Sequence, residues 1–234
     1  EMNEDDMLVL FDKENDYLSG WTKDKKLKFV RASITSDEVP VDMLPKDTEV
    51  HEVTGLKWII AAAEQGDALA QYNLGNMYRQ GQGVPQDDKT AVKWFRLSAV
   101  QGNALAQFNL GFMYDKGYGV PQDDKTAVKW YTLAAEQGNA SAQFSLGLMY
   151  LQGLGVFLNN KTAVKWFTLA AVQGYARAQF YLGEMYHEGQ NVPQDHKAAV
   201  KWYRLAAEQG NVAAQFNLGW MHHKGLGVAQ NHEA

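Results

Sequence analysis

The residues best suited to chemistry in this sequence are six histidines and a close pair of glutamates. The histidines are His51, His187, His196, His222, His223 and His232, and Glu184 and Glu188 flank His187. Imidazole changes charge near neutral pH, so it serves as a general acid or base and as a metal ligand. A carboxylate beside it would suit hydrolysis of a small amide or an envelope polymer around residues 184–188. A metal site needs ligands that converge, most simply two histidines four apart on a helix or a His-Glu-x-x-His run. Neither occurs here. The sequence also lacks cysteine, which removes disulfides, thiolate zinc sites and cysteine nucleophiles. There is no G-x-S-x-G, phosphate-cradling loop or G-x-G-x-x-G fingerprint. These residues therefore lead to an expectation of no catalytic residue, no metal and no cofactor, with the hydrolase as the alternative.

Composition narrows the class. Of 234 residues, 46% are hydrophobic, 21% charged and 12% aromatic, the balance of a packed globular chain. No apolar run is long enough to span a bilayer, so no membrane span is expected. A net charge of −5 argues against nucleic acid as a partner.

The elements that must carry these side chains are set by a repeat. Trp58, Trp94, Trp130, Trp166 and Trp202 are spaced by 36 residues. Gly66, Gln71, Leu74, Gly75 and Met77 each begin a series with the same step. Several residue types in one register mean stacked units, each too small to bury its own apolar face. Each unit reads as two helices. In the unit starting at Asn103, that asparagine suits an N-cap, and apolar residues at 106, 110, 113 and 114 have helical spacing. A Gly-x-Gly-Val-Pro-Gln-Asp loop follows, and Asp123 or Asp124 caps a second helix that ends near Gly138. The loop's second glycine is replaced once, by Asn191, which fits a backbone requirement for positive φ. In one loop Phe157-Leu-Asn-Asn replaces Pro-Gln-Asp-Asp; Asn159 or Asn160 still caps, and Phe157 is expected to pack on the neighbouring helix, with an exposed contact point as the alternative.

The iterated pattern A-x-A-Q-[YF]-x-L-G-x-M-Y-x-x-G-x-G-V-P-Q-D, followed by A-x-x-W-[YF]-x-x-A-A-x-Q-G, resembles Sel1-like repeats, relatives of tetratricopeptide repeats. The resemblance covers about residues 50–234 and implies an all-α, α/α superhelical solenoid. It also implies a scaffold or adaptor that binds a protein or peptide and assembles complexes. Many bacterial members act in the cell envelope, in secretion or in host contact, which tilts the compartment towards periplasmic or secreted. A disulfide-rich branch linked to β-lactam binding is a poor match for a chain without cysteine. On this reading residues 51–66 form a half repeat. Residues 67–102, 103–138, 139–174 and 175–210 are full repeats, and residues 211–234 are a partial one.

Comparing the repeats with one another separates a constant helix face from a variable one. On the Leu-Gly helix, residues 69, 73, 76 and 80 vary most and fall within about 60° of one another. Residues 70, 71, 74, 75, 77, 78 and 81 hardly change and read as the packing face. The glutamines at 71, 107, 143, 179 and 215 read as bonded to neighbouring backbone. The variable face is the expected binding surface, and in tetratricopeptide-like superhelices this helix lines the groove. Its candidates are Leu69, Asn73, Asn76, Leu105, Asn109, Phe112, Lys116, Ser145, Leu148, Arg177, Tyr181, Glu184, Glu188, Asn217, Trp220 and Lys224. Phe112, Leu148, Tyr181 and Trp220 would anchor an apolar partner. Asparagines would bond its backbone. The lysines at 57, 93, 129, 165 and 201 read as a solvated outer face.

Residues 1–50 fall outside the repeat and hold 13 acidic and 7 basic residues. They read as a cap, as short strands at Met7–Phe11 and Leu27–Ile34, or as a partly disordered segment. The first residue is Glu1, without a signal-peptide pattern, which suggests a processed start. Ala234 aligns with Ala198, early in a second helix. The expectation is therefore a longer repeat protein of which this is a structural module, or self-association through the uncapped end.

Overall fold

A computed structural model of the chain describes residues 48–228. The expectations for residues 1–47, including both strands, and for the start of a further helix after 228 lie outside the described residues. Within them all regular structure is helical, and the fold is an α-solenoid. The helices fall into two compact units. The first holds α1 (Thr48–Glu64), α2 (Ala68–Gln80) and α3 (Asp88–Val100). The second holds α4 (Ala104–Lys116), α5 (Asp124–Glu136), α6 (Ala140–Gln152), α7 (Asn160–Val172), α8 (Ala176–Glu188), α9 (His196–Glu208) and α10 (Val212–Lys224). Within each unit every helix packs on the next in sequence.

Local chemistry sets these lengths. From α2 to α10 each helix has 13 residues. The first helix of a repeat begins where Asp67, Asn103, Asn139 or Asn211 accepts a hydrogen bond from the backbone N–H three residues on. That side chain satisfies one of the donors that a helix start leaves unpaired. Tyr175 opens α8 without such a bond, and its ring packs instead against Phe144 at 5.3 Å. Asp87, Asp123, Asn159 and Asp195 cap the second helices. Asn191 has φ 65°, so it takes the left-handed conformation its loop position requires.

The core is built from the repeating residues. In the second unit, Ala127, Val128, Tyr131 and Ala134 of α5 close on Ala142, Leu146 and Met149 of α6. The same arrangement recurs between α7 and α8 and between α9 and α10. Within a repeat, glycine lets the first helix lie close against the second. A Cβ at Gly111, Gly147 or Gly183 would lie 2.7, 2.7 and 2.5 Å from the ring of Tyr131, Phe167 and Tyr203 respectively. A glutamine ladder then joins successive repeats. Gln143 donates to the Ala135 carbonyl at 3.0 Å and accepts from Gln173 at 2.7 Å. Gln179 donates to Ala171 and accepts from Gln209 in the same way.

One feature departs from the sequence expectations, and another sets α10 apart from its equivalents. Phe157 does not pack down; it is 96% exposed. It occupies the loop position held elsewhere by Pro85, Pro121 and Pro193, all of them exposed, so the loop's shape aims this side chain at solvent. In α10, Phe216 is 72% exposed, although Phe144 at the same repeat position is 2% exposed. No described helix lies over that side of α10, and a Cβ at Gly219 would meet nothing within 4 Å.

Candidate functional site

The variable residues divide by what the following or preceding second helix presents to them. At the step from α4 to α6 the facing ring is Tyr131. Its hydroxyl donates to Asp115 Oδ2 at 3.3 Å, and Ser145 bonds the same phenol. Burial, reinforced by the Asp115 charge, pushes this phenol far above the ordinary tyrosine range. Lys116 lies 3.1 Å from Asp115 and neutralises it. Phe112 packs on the α5–α6 core and against Tyr118, with ring centroids 5.9 Å apart.

At the step from α6 to α8 the facing ring is Phe167, which has no hydroxyl to satisfy. Tyr181 now stacks on it at 5.5 Å and meets Phe144 at 5.4 Å. Leu148 joins the same cluster, and the Arg177 guanidinium sits over the Phe144 ring at 4.8 Å. Apart from Arg177, the side chains named at this step are apolar or aromatic.

The step from α8 to α10 is different. Tyr203 faces it and bonds the Asn217 side chain. Burial, together with the charges of Glu184 and Glu188, pushes this phenol up to about 12 against the opposing Asn217 bond. A cleft of about 330 Å3 opens here, lined by Glu184, His187, Glu188, Tyr203, Phe216, Asn217, Trp220 and Met221. The His187 and Trp220 rings meet edge to face at 5.4 Å, and His196 lies 5.3 Å behind His187. Glu184 is half-buried, and desolvation followed by the Glu188 charge holds its carboxyl above the usual range. No lysine or arginine lines the cleft.

The residues expected on one free face are therefore spread over different environments. Asn73 and Asn109 are buried, at 6% and 3% exposure, which corrects their assignment to a solvent-facing row. Ser145, Tyr181 and Asn217 are half-buried against the facing ring. At these three steps the residue suits the ring opposite: the phenols of Tyr131 and Tyr203 take Ser145 and Asn217, and the bare Phe167 takes Tyr181. Leu105, Asn76, Phe112 and Leu148 are also half-buried, whereas Leu69, Lys116, Arg177, Glu188, Trp220 and Lys224 are exposed. Only Glu184, Glu188, Asn217 and Trp220 converge on the cleft. His187, Tyr203, Phe216 and Met221 share that cleft although they stand outside the variable row. Their link is spatial, since Tyr203 comes from α9, and no single-helix pattern exposes it. Among the described residues no group of three or more histidines and carboxylates is placed to hold a metal ion.

Comparison with known proteins fits this architecture. The Sel1 repeat matches residues 43–67, 68–103, 104–139, 140–175, 176–211 and 212–234. The chain belongs to the Sel1 repeat family. Sel1 repeats are a fold commonly used for protein–protein interaction. The chain is similar to c5321, a protective antigen of uropathogenic Escherichia coli, with 41% identity and a TM-score of 0.75. That match covers 77% of this chain and 39% of the antigen. A Sel1 repeat protein from Oxalobacter formigenes is 37% identical with a TM-score of 0.72, over 80% of this chain and 54% of that one. The chain thus spans roughly two-fifths to a little over half of these two relatives. Immunity protein Pa5087 from Pseudomonas aeruginosa shares the Sel1-type fold at 23% identity and a TM-score of 0.50. No curated protein matches the chain. No helix among the described residues is long and apolar enough to cross a membrane.

Proposed function

We propose that this chain is a non-enzymatic scaffold that holds a segment of a partner protein along the exposed residues of its first helices. One observation carries the reading: the packing residues recur at every step, while the exposed residues of the first helices differ in size and charge, Leu69 and Arg177 sharing one repeat position and Lys116, Glu188 and Lys224 another. A large apolar side chain left partly exposed on such a face suits an interface. Trp220, 40% exposed at the edge of the cleft, is the best placed anchor. Leu69, Leu105, Lys116, Arg177 and Lys224 supply further contacts in their own units.

Affinity capture tests the reading. Wild type is compared with a Trp220→Ala, Lys116→Glu variant whose helical signal and melting temperature match it. A protein held by wild type and released by the variant supports the assignment. A protein held equally by both places the interface elsewhere on the chain.

A further inference from the structure

We infer that the cleft between α8 and α10 seats a cationic side chain, a lysine or arginine presented by a basic segment of a partner protein. The inference rests on the scaffold reading and deepens it by naming the partner's chemistry.

Charge and shape both point this way. Glu184 and Glu188 bring two carboxylates to one wall, and neither has an ion-pair partner among the described residues. The opposite wall is aromatic, with Trp220, Phe216 and Tyr203 all lining the space. Carboxylates and aromatic rings lining one cleft can attract a cation, the acids through their counter-charge and the rings through their electron-rich faces. The volume of about 330 Å3 admits one long side chain with its stem against the rings. The other steps of the unit carry different groups at these positions. Lys116 already neutralises Asp115 at the first. At the second, Leu148 and Gln152 stand where Glu184 and Glu188 do, and Leu148 and Leu151 pack on the α7–α8 core.

The burial that raises the Glu184 carboxyl supports the same reading. Two like charges in a partly desolvated wall repel each other, and an entering cation removes that penalty. His187 forms part of the wall, and its Nδ1 is buried without a hydrogen-bond partner.

The test uses labelled peptides in which arginine, lysine or glutamate alternates with glycine, titrated into the full chain and followed by anisotropy. The arginine and lysine peptides bind and the glutamate peptide does not. A Glu184→Gln, Glu188→Gln variant weakens the basic peptides by about tenfold, as does Trp220→Ala. The control variant Glu136→Gln, Glu208→Gln removes the same charge from the exposed faces of α5 and α9 and leaves affinity within about twofold. Equal losses in the cleft and control variants would show diffuse attraction to an acidic chain and overturn the site. Equal binding of acidic and basic peptides would overturn it as well. If a captured partner protein is retained by wild type and by the Glu184→Gln, Glu188→Gln variant alike, the cation site fails while the scaffold reading stands.

Discussion

The steps from α4 to α6 and from α8 to α10 share one backbone plan and carry opposite surfaces. Both place a buried tyrosine from a second helix beneath the following first helix, at Tyr131 and Tyr203. Both satisfy the phenol with a polar side chain two repeats apart in sequence, Ser145 and Asn217. At the first step the acid has its own lysine, and Phe112 lies against the core. At the last, Glu184 replaces the phenylalanine and Glu188 replaces the lysine, so a closed apolar contact becomes an acidic cleft. His187 also stands where Asp115 does and Trp220 where Leu148 does, so several exchanges change what a step can hold while the buried tyrosine stays.

The largest test of this comparison is in the core. Phe144→Ala removes a ring that is 2% exposed and should cost about 3–5 kcal/mol in urea unfolding. Phe216→Ala, at the same repeat position but 72% exposed, should stay within about 0.5 kcal/mol. Comparable losses would mean that α10 is covered in solution.

A smaller effect separates the glycines. Gly183→Ala drives a Cβ into the Tyr203 ring and should destabilise by about 1–3 kcal/mol. Gly219→Ala meets open space and should stabilise by up to about 1 kcal/mol through helix propensity, as thermal unfolding would show.

The two smallest effects are read from stability against pH, and they have opposite signs. Asp123 is held below its ordinary range by the Thr126 hydroxyl and then the Thr126 N–H. Its contribution is present above the unfolded carboxylate range and is lost as pH falls through the lowered folded value. Asp123→Asn should therefore flatten the acid branch, since Asn159 already caps α7 through the Thr162 N–H without titrating. Glu184 is held above its ordinary range by burial and then by Glu188. Its ionisation opposes folding, so Glu184→Gln should stabilise near neutral pH and change nothing in acid. A stability loss at neutral pH would show that the carboxylate is paired and the cleft already satisfied.

Most of the architecture was legible in the sequence. Repeated tryptophans, glycines and glutamines name the stack, and Asn191 in place of a loop glycine names the backbone conformation. The glutamines do bond neighbouring carbonyls, at Gln71, Gln143, Gln179 and Gln215. The site was legible only in part. Variation suggests exposure, yet Asn109 is buried and Tyr181 is stacked on Phe167, so positions that pack vary as well. A helical wheel knows only one helix, and these side chains answer to a ring on another. Phe157 was misread for the converse reason: its apolarity suggests burial, while its loop position decides otherwise.

The glutamine ladder has a consequence for how the chain reaches this state. Each of its side-chain rungs joins residues only 30 apart, and each carbonyl anchor only 8. Such short separations keep the entropy of closing each loop small and favour rapid assembly. Order can start at any pair of helices in the second unit and spread outward, one rung at a time, as a zipper closes.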